Sequence, residues 1–397
     1  MASDASAERH ANTVGLLTAL RPDEGLRLAE LAQLTGLSRP TVDSILTELS
    51  RLGWVEQREP TEEPGAARQA GRPARTYRLN PDAGFVVGVD VGVNLLTAMV
   101  ADITGATRVT TTRPISRTTS GAERRTAVQS LIADAVAEVG VEPREMLALS
   151  LGVPGIVDPS GRVTLSTVIP DWTGFPVEKD FHRWSGVPVT VANDANMATL
   201  AEHWIGAARL VDDVIYILTG RRTSAGIIID GRLHAGRHGA AGEIGSIPAL
   251  YFSTEELLAT PGHRPDSPDA IGAVFRAAAD GDAQAVALVE EFYRRLAEVV
   301  DFLVKSFDPA MVVLGGGVSR AGRPLVAGVE RHLDRPAFNT TPIVLSQLGP
   351  EAVALGAVRS ALQLAVRHSP LIDALVSPPL RASSRPVRAN YFEGDQQ

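Results

Sequence analysis

Two stretches of this 397-residue chain repeat one layout, and that repeat constrains the fold more than any other feature. Residues 85 to 105, FVVGVDVGVNLLTAMVADITG, read as a strand, a glycine-bearing turn and a second strand, with Asp90 at the end of the first strand. Residues 214 to 233, VIYILTGRRTSAGIIIDGRL, repeat the layout. A hairpin that occurs twice with helical patterns between predicts two related α/β lobes facing a cleft. A third strand and turn, MVVLGGGVSRAG at 311 to 322, puts three glycines where a backbone could approach a nucleotide, although a glycine motif alone is weak evidence.

The length exceeds one ordinary core and predicts a small domain beside a large one. No apolar run reaches the roughly 18 to 20 residues of a membrane span, and the opening MASDASAERH lacks the basic start and apolar core of a signal peptide. A cytoplasmic location without membrane attachment is therefore expected. The absence of cysteine excludes disulfides and thiolate-held metals. A net charge of -8 argues against indiscriminate nucleic-acid binding, yet an average hides local patches. Residues 1 to 80 carry ten arginines against eleven acids, and residues 64 to 79 carry four arginines and no acid.

In that N-terminal part, Val14, Leu16, Leu17 and Leu20 mark a first helix, ended around Arg21, Pro22, Asp23 and Gly25. Leu28 to Leu34 gives a short second helix, Thr35-Gly36-Leu37 a tight turn, and Ser38 an N-cap for a third helix through Leu52. Val42, Ile45, Leu46, Leu49 and Leu52 form its inward stripe, which leaves Ser38, Arg39, Thr41, Ser44 and Thr47 facing outward. Such short polar and basic side chains, at the start of the second helix of a helix-turn-helix, reach base edges and phosphates in the major groove. The plainer alternative is a three-helix bundle with a solvated polar face. Gly53-Trp54-Val55 begins a wing strand, Arg75 to Leu79 returns it, and Arg72 in Gly71-Arg72-Pro73 suits a narrow minor groove, with a solvated linker as the alternative.

The segments LGVPGIVD (151 to 158), VANDANMATLAE (191 to 202), IIIDGRLHAGRHGAAGEIGS (227 to 246) and VVLGGGVS (312 to 319) make residues 85 to about 365 resemble the ROK family of bacterial sugar kinases and sugar-responsive repressors. With a winged helix-turn-helix and GRPARTYRLNPDAG ahead of them, the whole chain resembles a repressor of that family. The resemblance implies an α/β large domain of the actin-like, ribonuclease H-like two-lobe fold. It also implies the divisions 1–80 (reader domain), 81–200 (first lobe), 201–380 (second lobe) and 381–397 (tail).

The resemblance further assigns roles position by position. Asp194 matches the family's catalytic aspartate, Asn193 its sugar-binding neighbour and Glu243 a carboxylate that holds ring hydroxyls; Glu256 matches a second such carboxylate in an uncertain register. The plain alternative for each is a helix cap or a surface carboxylate. Where family kinases carry Asp-x-Gly-Gly-Thr-Lys, this chain has Asp90-Val91-Gly92-Val93-Asn94-Leu95, so backbone cradling of phosphate and positive charge should both suffer. In the second loop, Arg221 and Arg222 put bulk where close backbone approach is expected. Kinase activity is thus expected to be lost, with no catalytic residue and no cofactor. The family's zinc histidine position is Ser246, and His238 alone does not make a metal site. Val168 stands where many relatives have a sugar-touching Asn.

The expected function is regulation of transcription, as a repressor, by a homodimer or tetramer on a double-stranded palindromic operator. The expected effector is a small carbohydrate, or a sugar phosphate held by Arg221 and Arg222. Two alternatives stand beside it: a large domain that serves only as a dimerisation and docking scaffold, and an active ATP-dependent sugar kinase with an appended reader.

Overall fold

The computed structural model describes residues 2–20, 25–58, 75–219, 223–250, 254, 257, 270–333 and 340–368. It forms two compact units, Met1–Pro81 and Asp82–His368.

The first unit runs α1 (Ala2–Ala19), β1 (Leu26–Arg27), α2 (Leu28–Thr35), α3 (Arg39–Arg51), β2 (Val55–Arg58) and β3 (Thr76–Leu79). Gly36 ends α2 in the left-handed conformation at φ 69°, which lets the chain reverse into α3 within three residues. There Ser38 caps the new helix by accepting the Thr41 N–H at 3.3 Å, and Pro40 sits in the first turn, where its missing N–H costs nothing. Val42, Ile45, Leu46 and Leu49 pack against Leu16, Leu17, Leu20 and Leu31, and Val55 and Leu79 close the core from a three-stranded sheet in the order β1-β3-β2. Each such side chain contributes about 1.5 to 3 kcal/mol on burial. Leu52, expected in the inward stripe, is instead 44 % exposed, because the helix stops at Arg51 and Leu52 caps its end.

The second unit holds two five-stranded sheets of the same topology. The first uses β4 (Phe85–Val91), β5 (Leu95–Asp102), β6 (Thr107–Pro114), β7 (Ala148–Val153) and β10 (Val189–Asn193) in the order β10-β7-β4-β5-β6. A short hairpin, β8 (Ile156–Val157) with β9 (Val163–Leu165), lies between β7 and β10 in the chain. The second sheet uses β11 (Val214–Thr219), β12 (Thr223–Ile229), β13 (Arg232–Leu233), β14 (Met311–Gly316) and β15 (Ile343–Leu345) in the order β13-β12-β11-β14-β15. In each, an antiparallel hairpin is extended by two parallel strands, so the repeat read in the sequence is a structural duplication.

Helices α4 (Gly121–Glu138) and α5 (Val177–Ser185) cover the first sheet with Leu131, Ile132 and Phe181; α7 (Ala270–Ala279), α8 (Ala283–Phe307) and α9 (Arg323–His332) cover the second with Val274, Phe292, Leu296 and Leu325. Between the sheets lie α6 (Asp194–Ile205) and the returning α10 (Ala352–His368). A Cβ on Gly88 of β4 would run into the backbone of α10, and one on Gly356 of α10 into the Met197 carbonyl of α6, so these glycines permit the close approach. The last described helix, α10, thus packs on β4, β7 and α6.

Glu202, fully buried on α6, fastens this seam. Its carboxylate accepts the Ala207 N–H at 2.7 Å, the Ser346 hydroxyl at 2.5 Å and the Leu348 N–H at 3.3 Å, joining the end of α6 to the loop that leads from β15 into α10. Among the described residues no helix is long and apolar enough to cross a membrane.

Candidate functional site

On α3, Ser38, Arg39 and Ser44 are exposed and Thr41 is half-buried. The Ser38 and Thr41 hydroxyls bond each other at 2.7 Å, so both are partly used in starting the helix. Arg39 and Ser44 carry no such constraint. Glu48 on the same face pairs with Arg9 of α1 at 2.7 Å. Arg72, assigned to the wing, lies outside the described residues, as do Arg221, Arg222 and Glu256.

In the second unit, β7, β10, β11, β12 and the turns after them converge on a cavity of about 210 Å³. Asn193, Asp194, Glu243, Thr167 and Ser224 give it polar groups, and Val93, Ile156, Leu165, Val168 and Leu218 give it apolar walls. Three of the four carboxylate and amide positions singled out in the sequence are thus brought together, and Val168 stands in the wall.

Asn193 is more committed than its assigned role required. Its Oδ1 caps α6 by accepting the N–H groups of Ala195 and Asn196 at 2.8 and 3.3 Å, and its Nδ2 donates to Gly155 O at 3.0 Å and to Glu243 Oε1 at 3.3 Å. With both donors and both lone pairs engaged, Asn193 ties the start of α6 to Gly155 and Glu243. Glu243 is placed from behind: the Ala225 N–H of β12 donates to Gly242 O at 2.8 Å, and a Cβ on Gly242, at φ 85°, would strike the Ala225 carbonyl. Ser246, at the zinc-histidine position, donates its hydroxyl to Glu243 O at 2.6 Å and closes the turn. Among the described residues no group of three or more histidine and carboxylate side chains is arranged to hold a metal.

The carboxyls hold protons unusually well. Asp194 is pushed up to about 7, chiefly by burial and further by Glu243, against the N–H groups that stabilise its charge. Asp90, at the end of β4, is pushed up to about 8 by burial and then by the neighbouring charge of Asp194.

The degenerate first loop has its own anchor, which the sequence reading did not find. Arg124 of α4 is fully buried; its guanidinium donates to Gly92 O at 2.6 Å, Val93 O at 3.1 Å and Ser116 O at 2.9 Å. A lone arginine on an amphipathic helix reads as a surface residue, and only the fold turns it inward. The glycines that end β14 serve packing: a Cβ on Gly315 would strike the Tyr216 hydroxyl, and Gly316 takes φ 84° against the Thr219 carbonyl.

The family model described as the ROK family matches residues 86–264 and 249–363, and that of the IclR helix-turn-helix domain matches residues 11–59. A xylose repressor of Caldicellulosiruptor bescii is 24% identical over 384 residues, 87% of this chain and 94% of that protein. The DNA-binding transcriptional dual regulator NagC of Escherichia coli is 26% identical over 366 residues, 85% of this chain and 87% of that one. A ROK glucokinase of Streptomyces griseus, solved with glucose and AMPPNP, superposes with a TM-score of 0.59 at 27% identity, over 70% of this chain and all of that chain. Its coverage matches the second unit, whereas the two regulators extend into the first. With the two-lobe actin-like architecture and the matched stretches together, the chain belongs to the ROK family and carries an IclR-type helix-turn-helix ahead of its ROK domain.

Proposed function

We propose that the chain is a DNA-binding transcriptional regulator, acting mostly as a repressor, whose ROK unit senses a small carbohydrate or sugar phosphate and does not turn over ATP. The observation that carries this is the fusion itself: an IclR-type helix-turn-helix with Arg39 and Ser44 exposed at the start of α3 stands ahead of a ROK unit that keeps Asp194 and Glu243 in a cavity. Relatives that align over 85 to 87% of this chain are named a xylose repressor and a DNA-binding transcriptional dual regulator. Reading proceeds through Ser38, Arg39, Thr41 and Ser44 in the major groove, with Arg72 on the wing, on a palindromic operator bound by a cytoplasmic homodimer. Effector binding uses Asp194 and Glu243, oriented by Asn193, with Glu256 as a further contact.

Absence of kinase activity rests on the first loop. Val93, Asn94 and Leu95 replace the glycine, threonine and lysine that phosphoryl transfer requires there, and Leu95 is 43 % exposed with no charge to offer.

The test is an operator titration on DNA flanking the gene, with and without the sugar or sugar phosphate that most raises the melting temperature. Effector should change operator affinity by roughly 5- to 150-fold, and Asp194→Ala and Glu243→Ala should abolish that response while ligand-free binding persists. A chain that binds no operator, or that releases ADP in a sugar-dependent manner sensitive to Asp194→Asn, would overturn the reading.

A further inference from the structure

The three-stranded sheet of the first unit carries charge on the face turned away from the core. Along β3, Tyr77 and Leu79 are buried in that core, so Thr76 and Arg78 project from the opposite side. In an antiparallel ladder, residues directly opposite each other share a face. Thr76 lies opposite Arg27 of β1 on one side and Arg58 of β2 on the other, and Arg78 lies opposite Glu56. The outer face is therefore built in two rows: Arg27, Thr76 and Arg58 where β2 ends and β3 begins, and Glu56 with Arg78 two residues further along each strand.

The rows differ in charge balance. Glu56 accepts from Arg78 through Nε at 2.8 Å and through Nη2 at 2.7 Å, which neutralises its row. In the other row both arginines are exposed, and no described carboxylate pairs with either guanidinium. Glu30, three residues past Arg27, gives its carboxylate to the Arg27 backbone N–H at 2.7 Å. Only Thr76 stands between the two arginines, and Gly25 lies against it, since a Cβ there would come within 2.9 Å of the Thr76 hydroxyl oxygen. A shallow trough of small residues is thus bordered by two cations whose backbones stand about 10 Å apart, two strand spacings. Counterion release grows with the number of phosphates neutralised, so a chain with a net charge of -8 has to gather cations locally to hold a polyanion.

We propose that Arg27 and Arg58 grip one sugar-phosphate strand of a DNA duplex laid across the outer face of this sheet, adding affinity and fixing where the duplex lies without reading its sequence. The inference rests on the DNA-binding role proposed above and gives it a second surface, distinct from the start of α3. The matched Glu56–Arg78 row marks where that surface ends.

Affinity of the full-length protein is measured for a duplex taken from the DNA flanking the gene and for an unrelated duplex of equal length, between about 50 and 200 mM salt. Arg27→Gln and Arg58→Gln should each make the slope of log affinity against log salt shallower by ~0.9, and the double variant by ~1.8. Both duplexes should lose affinity by the same factor, which a base-reading role or a disturbed α3 would not produce. Arg27→Lys keeps the charge and should keep the slope. Glu56→Gln combined with Arg78→Gln removes a matched pair and should also leave the slope as it was. Unchanged slopes in Arg27→Gln and Arg58→Gln, losses confined to the flanking duplex, or an equal change on removing the Glu56–Arg78 pair would each overturn the inference. Each arginine is exposed and is tested alone, so if one variant failed to fold the other would decide. Binding by the unmodified protein separates the two ideas: a chain that binds neither duplex sinks the regulator, and normal binding with unchanged slopes in the variants sinks the second surface alone.

Discussion

Replacing Asp90 by Asn should stabilise the ROK unit at neutral and alkaline pH and leave it unchanged in acid. Asp90 sits on β4, opposite Thr97 of β5 and Gly152 of β7, and burial followed by the charge of Asp194 raises its pKa from 3.8 to about 8. A carboxyl with a raised folded-state pKa contributes stability that is fully present below its unfolded value, near pH 4, and is lost as pH climbs toward 8, because the native state then binds a proton that the unfolded chain has released. The slope is about 1.4 kcal/mol per pH unit for one proton. Between pH 4 and pH 7 this would sum to about 4 kcal/mol, and local relaxation and solvent access reduce it to ~2 to 4 kcal/mol. Asn keeps the shape of the protonated acid and titrates nothing. The unit spans 287 residues, Asp82 to His368. At ~2.1 cal/mol/K of unfolding entropy per residue, that gain raises its melting temperature by roughly 3 to 7 °C at pH 7 and by almost nothing at pH 4. Calorimetric melts of both proteins from pH 4 to 8.5 measure the difference. Parallel curves, or a variant less stable at pH 8 than at pH 5 by as much as the unmodified protein, would refute the assignment of a half-buried, proton-holding Asp90.

Three further outcomes are expected. Asn193→Ala should cost ~2 to 4 kcal/mol in denaturant unfolding, because the α6 cap disappears and Gly155 O and Glu243 lose their donor, and it should also remove the effector response. Gly356→Ala should destabilise the ROK unit by about 3 kcal/mol or more in denaturant unfolding, since the new methyl meets the Met197 carbonyl. Arg39→Ala should weaken specific operator binding by ~1 to 3 kcal/mol and nonspecific binding by less, as read by competition with unrelated DNA.

Local chemistry made much of this legible. The Gly36 turn, the Ser38 cap and the stripe of Val42, Ile45, Leu46 and Leu49 act within a few residues, and spacing alone reveals them. The hairpins were legible for the same reason, as runs of β-formers around a glycine turn. What could not be read depended on partners distant in the chain. Arg124 looks like any solvated helix arginine until the 92–94 turn is folded over it. The engagement of Asn193 requires Gly155 and Glu243, 38 and 50 residues away. Glu202 lies in a motif that names it, but its carboxylate finds Ser346 only after a separation of 144 residues. Leu52 failed as a core position because periodicity does not announce which turn of a helix is the last.

The fastening of Glu202 also bears on how such a protein can change over time. Helix α6 presents Asp194 to the cavity at one end and, two turns later, grips the loop ahead of α10 at the other. The polar groups of the cavity lie at its N-terminal end and the Glu202 hydrogen bonds toward its C-terminal end, about 12 Å apart along the helix. Substitutions around Val168 or Val93 can therefore reshape the cavity without touching the Glu202 hydrogen bonds that hold the far end of α6. One end of such a helix can be retuned while the contacts at the other are inherited intact.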